Sequence, residues 1–450
     1  MADLLLGQTL SFAADPFVAG PAAARHEPRG AVLVEDGRIA AAGPADALRA
    51  AHPDARVTDY GDALISAGFV DCHMHYPQTG IIASWGKRLI DWLNGYTFPE
   101  EMRLADPEVA AEIAARACDL ALAHGTTTLA SYCTSAPASV EAFFTAAEAR
   151  NMRVVAGKTC MDRNAPPGLT DTATRAAEES SALIARWHGC GRAVYAITPR
   201  FAPTSTPEQL AALGELRAAH PDCPVQTHLS EQTEEVAWVA ELYPEARDYL
   251  DVYERYGLAG SGAVFGHAIH LLPRERAALA DSGAGVAHCP TSNSFIGSGL
   301  FDLVALKAAG VQVGLATDTG GGSSFSMLRT MAAAYEVAQL KGHAVHPAAL
   351  WWLATEGSAR VLGLSGRVGT LAPGHEADLV VIDLASTPAI AQRAARAEDF
   401  WEAVFPTIMM GDDRAIRAVW VAGRPVPGLR QIKAKADGPR DQGRAPEETA

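Results

Sequence analysis

Nowhere in these 450 residues do apolar side chains run long enough to span a bilayer, and the opening Met1-Ala2-Asp3-Leu4-Leu5-Leu6-Gly7-Gln8 lacks the basic stretch of a secretory signal. Organised cysteine is missing too. Cys72, Cys118, Cys133, Cys160, Cys190, Cys223 and Cys289 are odd in number, scattered, and form no C-x-x-C pair, which argues against a disulfide framework and against a structural zinc finger. Positive charge is scarce: a formal net charge of −15 with no Lys/Arg run disfavours a nucleic-acid backbone or an anionic membrane as partner. No G-x-x-x-x-G-K-[ST] occurs, so Gly320-Gly321-Gly322 is read as room for the chain to turn rather than as a phosphate cradle. These absences leave a soluble protein of a reducing compartment, expected to be cytoplasmic.

The composition that is present, 48% hydrophobic and 20% charged, is ordinary for a globular chain, and the length suits one large α/β domain plus a smaller one. From residue 63 to about 320, strand-like apolar runs alternate with alanine-rich helical segments. Eight strands are expected, ending near His75, Cys133, Lys158 to Asp162, Arg200, His228, His267, His288 and Asp318. That pattern describes a TIM-type (β/α)8 barrel over residues 63–368, whose active face is formed by the strand C-termini. Residues 1–62 carry short strands and an Asp36-Gly37 hairpin signal, and residues 369–430 repeat the style with Leu379-Val380-Val381-Ile382 and a strand around Ala418 to Arg424. The two ends are expected to form one small β-sandwich. Residues 431–450, polar and rich in Lys, Asp, Gly and Pro, read as a flexible tail.

Histidine and carboxylate recur where the strands end, in Asp71-Cys72-His73-Met74-His75, His228-Leu229-Ser230-Glu231, Gly266-His267-Ala268-Ile269-His270, His288-Cys289-Pro290 and Thr317-Asp318-Thr319. On a strand, residues i and i+2 share a face, so His73 and His75 can grip one ion while Met74 points away. Catalytic zinc takes a few nitrogen or oxygen ligands and keeps one position open for water; His73, His75, His228 and Asp318 are the candidates. Glu231, three residues past His228, is placed to turn back over that water as general acid/base, although an acid in the first turn of a helix is also a common macrodipole partner. His267 would hydrogen-bond water or substrate, or join the ligands. His270 and His288 are expected to be structural. Arg200-Phe201 offers a cation beside an aromatic face, and Gln78 an amide that can donate and accept, together suited to a flat, carbonyl-bearing heterocycle.

These residues resemble the amidohydrolase superfamily, and over nearly the whole chain the resemblance narrows to the guanine deaminase family. It is carried by His75-Tyr76-Pro77-Gln78-Thr79, Trp92-Leu93-Asn94 with Tyr96-Thr97-Phe98-Pro99, Met161-Asp162-Arg163-Asn164, Thr198-Pro199-Arg200-Phe201-Ala202-Pro203-Thr204, His288-Cys289-Pro290-Thr291-Ser292-Asn293 and Gly320-Gly321-Gly322-Ser323-Ser324-Phe325. The resemblance implies a homodimeric aminohydrolase with one zinc per chain that converts guanine to xanthine and ammonia. It implies zinc on His73, His75, His228 and Asp318, proton transfer by Glu231 and Asp318, and help from His267 at the water. Gln78, Arg200 and Phe201 would hold the purine, with His228 and His267 also facing it. Thr319 stands where the family usually has valine and Ser294 where leucine is common, which would put smaller or more polar groups near the pocket and admit a related purine or a pterin. A two-metal cyclic amide hydrolase would usually need a bridging carboxylated lysine on the fourth strand or an equivalent carboxylate; Lys158 falls on the third. A non-catalytic scaffold on the same fold would be expected to lack the ligands this chain carries. Trp85 and the segment Trp92 to Phe98 suit a lid, a subunit contact or core packing equally.

Overall fold

The alternation of apolar runs and alanine-rich segments becomes eight parallel strands in the computed structural model, which describes residues 2–85 and 88–427. The strands are Phe69–His75, Thr126–Tyr132, Arg153–Gly157, Ala193–Tyr195, Val225–Leu229, Ala263–His267, Gly285–His288 and Gln312–Leu315. The first four pair with one another in chain order, and so do the last four. A parallel bridge between Ile197 and Val225 joins the two sets. The ring closes on the other side, where His75 N donates to Thr319 O at 2.6 Å and Asp318 N to His73 O at 2.9 Å. The strands form the (β/α)8 barrel that their pattern predicts, nearly continuous in burial because both faces are covered.

Small side chains fill the ring: Ala130, Val155, Ala196, Val264, Ala287 and Ala316 pack with Val70 and Cys72 in one cluster. Val361 and Leu362 belong to it as well, and Val361 packs on Gly285, the first residue of the seventh strand. The N-terminal end of the barrel is thereby closed. Two of the outer helices start from a side-chain cap followed by proline: Pro107–Ala123, where the Asp106 carboxylate accepts from Glu108 N, and Pro207–Ala219, where Thr206 accepts from Gln209 N.

Strands from both ends of the chain share one seven-stranded sheet. Leu379–Ile382 pairs antiparallel with Arg56–Ala67 and so joins the late strands to the early ones. The Asp36-Gly37 hairpin forms as its composition predicts, with φ of 49° and 78° between paired Glu35 and Arg38. The sheet curls until its two hairpin turns meet, so that a Cβ on Gly423 would lie 2.7 Å from Gly37 Cα. Val32, Val34, Ile65, Leu379, Val381 and Trp420 gather inside the curl, while Leu64, Val380, Ile382 and Ile416 face the barrel core. The two chain ends thus meet in one curled sheet. Arg153 and Arg192 of the barrel grip Glu376, and Arg192 also reaches Asp378 at 2.6 Å. Among the described residues no helix is long and apolar enough to cross a membrane. The expected tail, 431–450, lies outside the described residues.

Candidate metal centre and active site

At the C-terminal rim the chain leaves its strands in conformations that side chains rarely adopt. Ser230, His267 and Asp318 have φ of 49°, 67° and 47°, each costing on the order of 1 kcal/mol unless the surroundings hold it. Three such residues beside one cleft mark where the fold accepts strain to aim side chains.

His73, His75 and His228 converge there, with donor atoms that all lie within 4.8 Å of one another. His75 Nε2 and His228 Nε2 are 3.2 Å apart, and Asp318 Oδ1 lies 3.4 Å from His73 Nε2 and 3.5 Å from His75 Nε2. Four ligands at about 2.0–2.2 Å around a tetrahedral ion sit roughly 3.3–3.6 Å from each other. The observed spacings fit such an ion. The chemistry of the donors fits as well: His73 Nε2 is buried with no hydrogen-bond partner, and burial holds the His75 and His228 imidazoles well below their ordinary pKa, in the neutral form that ligates. Although burial works against it, the adjacent His73 and His267 rings hold the Asp318 carboxyl down at about 2.

Backbone and side-chain partners fix these groups. His228 Nδ1 faces the Arg200 carbonyl at 2.7 Å, which leaves Nε2 for the centre. His267 Nδ1 lies 2.8 Å from Asn293 Oδ1, turning Nε2 towards Glu231 Oε2 at 3.6 Å and Asp318 Oδ2 at 3.8 Å. Burial pulls the His267 pKa down, but the Glu231 and Asp318 carboxylates outweigh it and raise the value. The residue before it is glycine because a Cβ at 266 would lie 2.6 Å from the His73 ring. Asp71 accepts from His73 N and Thr317 N at 3.3 and 3.0 Å, tying the first strand to the eighth.

Glu231 is 3% exposed, with Ser298 Oγ donating to Oε1 at 2.7 Å and Oε2 lying 3.6 Å from His267 Nε2. Burial raises its pKa, and Asp318 adds to the rise against His267 and Ser298. The loop that carries it is held from below by Glu235, which accepts from Glu231 N and Gln232 N at 2.9 and 3.1 Å. His75, Gln78, Arg200, Phe201, His228, Glu231, His267 and Asp318 all line one cleft of about 440 Å³, together with Leu89, Trp92, Leu93, Thr97, Ile296 and Gly321. The apolar part of the wall comes from the segment Leu89 to Phe98, whose Trp92, Leu93 and Phe98 pack with Phe201 and Ile296. Trp85 stands apart, 81% exposed.

Other sequence candidates lie elsewhere. His270 Nε2 meets Ser298 O at 2.8 Å, and His288 stacks on Phe301 with 4.2 Å between ring centres; neither lines the cleft. Burial, assisted by His267, lowers the His288 pKa to about 3. The triglycine turns the chain: Gly322 N donates to Asp318 O at 2.6 Å, and a Cβ at 322 would lie 1.9 Å from Thr317 O. Lys158 follows the third strand, as counted from sequence, and its Nζ is taken by Asp171 with Glu179 at 3.4 Å. Two expectations are corrected. Ser294 is exposed and Thr319 is fully buried with its hydroxyl 3.1 Å from that of Thr317, so neither shapes the cleft.

A family model described as "Amidohydrolase family" matches residues 64–426, and one described as "Imidazolonepropionase-like composite domain, bacteria" matches residues 30–55. Guanine deaminase of Escherichia coli (strain K12) is 44% identical over 398 residues, covering 88% of this chain and 91% of the relative. The chain belongs to the amidohydrolase family, among its guanine deaminases. The solved structure of the E. coli guanine deaminase superposes with a TM-score of 0.92 at 42% identity, covering 94% of this chain and 99% of that one. A guanine deaminase from C. acetobutylicum with guanine bound in its active site superposes with a TM-score of 0.87 at 26% identity, covering 95% and 100%.

Three residues beside the site carried no role in the sequence reading: Glu101, Ser298 and Asn293. Glu101 is 1% exposed and holds both Gln78 and Arg200. Its only sequence signal is a second acid after Phe98-Pro99, in a helix preceded by one widened turn, Leu93–Thr97.

Proposed function

We propose that this chain hydrolyses guanine to xanthine and ammonia with one zinc ion held by His73, His75, His228 and Asp318. The observation that carries the reading is the meeting, in one cleft, of that donor cluster with Glu231 and with the Gln78/Arg200 pair. The ring is named from the activity of the relatives. Zinc, when bound there, supplies a water acidic enough to lose its proton near neutral pH and a positive charge beside the reacting carbon.

The chain's own groups do the rest. Arg200, Gln78 and Phe201 hold the ring flat in the cleft, and His228 and His267 border its reacting edge. Glu231 takes a proton from the attacking water and passes it to the ring nitrogen next to the carbon that bears the amine. Asp318 accepts the second water proton and returns it to the amine, which leaves as ammonia once the new carbon–oxygen bond is made. His267, its Nδ1 engaged by Asn293, steadies the water from Nε2. Trp92, Leu93 and Ile296 keep bulk solvent from the ring. Lys158, the lysine that a two-metal reading would draw on, is engaged by Asp171. A cytoplasmic homodimer completes the proposal, and the cytoplasmic part rests on seven cysteines that are all unpaired.

The test offers guanine, adenine, cytosine, 8-oxoguanine and a pterin to purified protein of known metal content and follows ammonia release and ultraviolet change. Guanine turned over well above the others is expected. Zinc-loaded protein that spares guanine and deaminates another ring overturns the substrate, and two tight ions per chain overturn the one-metal site.

A further inference from the structure

Two groups that line the cleft, the Gln78 amide and the Arg200 guanidinium, are held from behind by one carboxylate that does not line it. Glu101, on the helix Phe98–Arg103, accepts from Gln78 Nε2 at 2.9 Å through Oε1 and from Arg200 Nη1 at 2.7 Å through Oε2. A free glutamine amide can turn either its oxygen or its NH2 to a ligand. This one has no such choice, because a carboxylate paired with arginine only accepts, and the NH2 group must therefore face Glu101.

The consequence reaches the cleft. Gln78 Oε1 receives no hydrogen bond from the described residues and is left as an acceptor, while the Arg200 nitrogens not used by Glu101 remain donors. Both groups are braced from other sides. A Cβ on Gly320 would lie 2.5 Å from Gln78 Cβ and 2.9 Å from its Oε1, so glycine leaves just the room the turned amide needs. The Arg200 guanidinium lies 5.5 Å over the Phe98 ring.

An acceptor beside a donor complements a ring N–H next to a carbonyl, the lactam edge. It opposes the amidine edge, in which the ring nitrogen accepts and an exocyclic amine donates. We propose that Glu101 is a positioning residue that sets ring specificity: by fixing Gln78 as acceptor beside the Arg200 donor, it makes the cleft select lactam heterocycles and reject amidines of the same size. This deepens the guanine reading and rests on it for the assignment of the cleft.

Hypoxanthine and adenine are the probes, two purines of one shape with opposite edges; hypoxanthine carries the lactam and has no amine to lose. Their affinities for the zinc-loaded protein are measured by calorimetry and by competition with guanine. Wild type is expected to prefer hypoxanthine, and Glu101→Gln, whose amide lets Gln78 turn, to shrink that preference by about tenfold to a hundredfold. The same variant is expected to raise KM for guanine more than it lowers kcat. Glu101→Asp keeps the charge beside Arg200 but is one methylene short of holding both partners, and is expected to lose part of the preference. In a Gln78→Ala background, Glu101→Gln is expected to change the preference by less than about twofold, because the two act as one unit.

An unchanged hypoxanthine preference in folded Glu101→Gln overturns the proposal, and so does an equal loss with and without Gln78. Should Glu101→Gln not fold, Glu101→Asp decides on the same ratio. Protein that spares guanine yet shows the Glu101-dependent lactam preference overturns the guanine reading and supports this one; protein that deaminates guanine without that preference does the reverse.

Discussion

Replacing Glu231 with glutamine keeps the shape of the side chain and removes only its capacity to take and give a proton. The carboxylate is 3% exposed, with Ser298 Oγ donating to one oxygen at 2.7 Å and His267 Nε2 at 3.6 Å from the other. A glutamine can still accept from Ser298 through its carbonyl oxygen, so neither the loop nor the metal cluster loses a support. A positioned general acid or base contributes about a hundredfold to ten-thousandfold. On the proposed route Glu231 acts twice in each turnover, first on the water and then on the ring nitrogen, which puts the expected loss in kcat near the upper end. That loss is about 5.4 kcal/mol of barrier. The assay is guanine consumption at saturation, with zinc per chain and melting temperature measured on the same preparation. We expect kcat to fall about ten-thousandfold while KM, zinc and melting temperature hold. A variant that keeps its zinc and more than about a tenth of wild-type kcat would refute the proton transfer, because among the described residues Glu231 is the one carboxylate lining the cleft outside the proposed metal set. A variant that loses its zinc would instead move Glu231 into the metal set.

Ser298→Ala removes the hydroxyl that orients Glu231 and is expected to lower kcat roughly tenfold with KM unchanged, read by steady-state kinetics; an unchanged kcat sinks that role. Gly266→Ala brings a Cβ to 2.6 Å from the His73 ring and is expected to weaken zinc binding about tenfold to a hundredfold, measured as zinc retained against a chelator. Chelation should abolish deamination, and one equivalent of zinc per chain should restore it; restoration that requires two would refute the one-metal site. Glu376 carries a pH signature: hydrogen bonds and charge from Arg153 and Arg192, working against burial, hold its carboxyl at about 2 rather than 4.5. A depressed carboxyl stabilises the fold above its unfolded value and loses that contribution as pH falls from 4.5 towards 2, about 3 kcal/mol in all. Asp378, raised by burial in spite of Arg192, offsets part of it. Glu376→Gln is expected to cost about 3–5 kcal/mol near neutrality and to flatten the acid limb of stability followed by denaturant melts; a limb as steep as wild type would exclude Glu376 as its source.

How much of this was legible in the chain follows from how local each signal is. Strands and their ends announce themselves within a few residues, by apolar runs that stop at histidine or aspartate, and so the barrel and the groups at its mouth could be read directly. Residues that act by holding others leave no such mark. Glu101 meets Arg200 across 99 residues, Ser298 meets Glu231 across 67, and Asp71 meets Thr317 across 246, with no spacing rule to connect any of them. Proximity in sequence misled at Thr319 and Ser294, because a neighbour of Asp318 or Asn293 need not point the same way. Thr319 turns its hydroxyl to Thr317, and Ser294 lies on the solvent side of the helix Pro290–Phe295.

The division is physical rather than accidental. Groups that meet the reacting atoms must be of a few chemical types, and those types stand out in a sequence. Groups that orient them need only be charged or polar and correctly placed, so a buried glutamate in a helix looks like any other until its two oxygens are seen to be taken. On the proposed reading, chemistry at this site is set by the first kind and ring choice by the second. Changing the ring while keeping the deamination should therefore begin behind the cleft wall, at Glu101 and Gly320, rather than at the residues that touch the substrate.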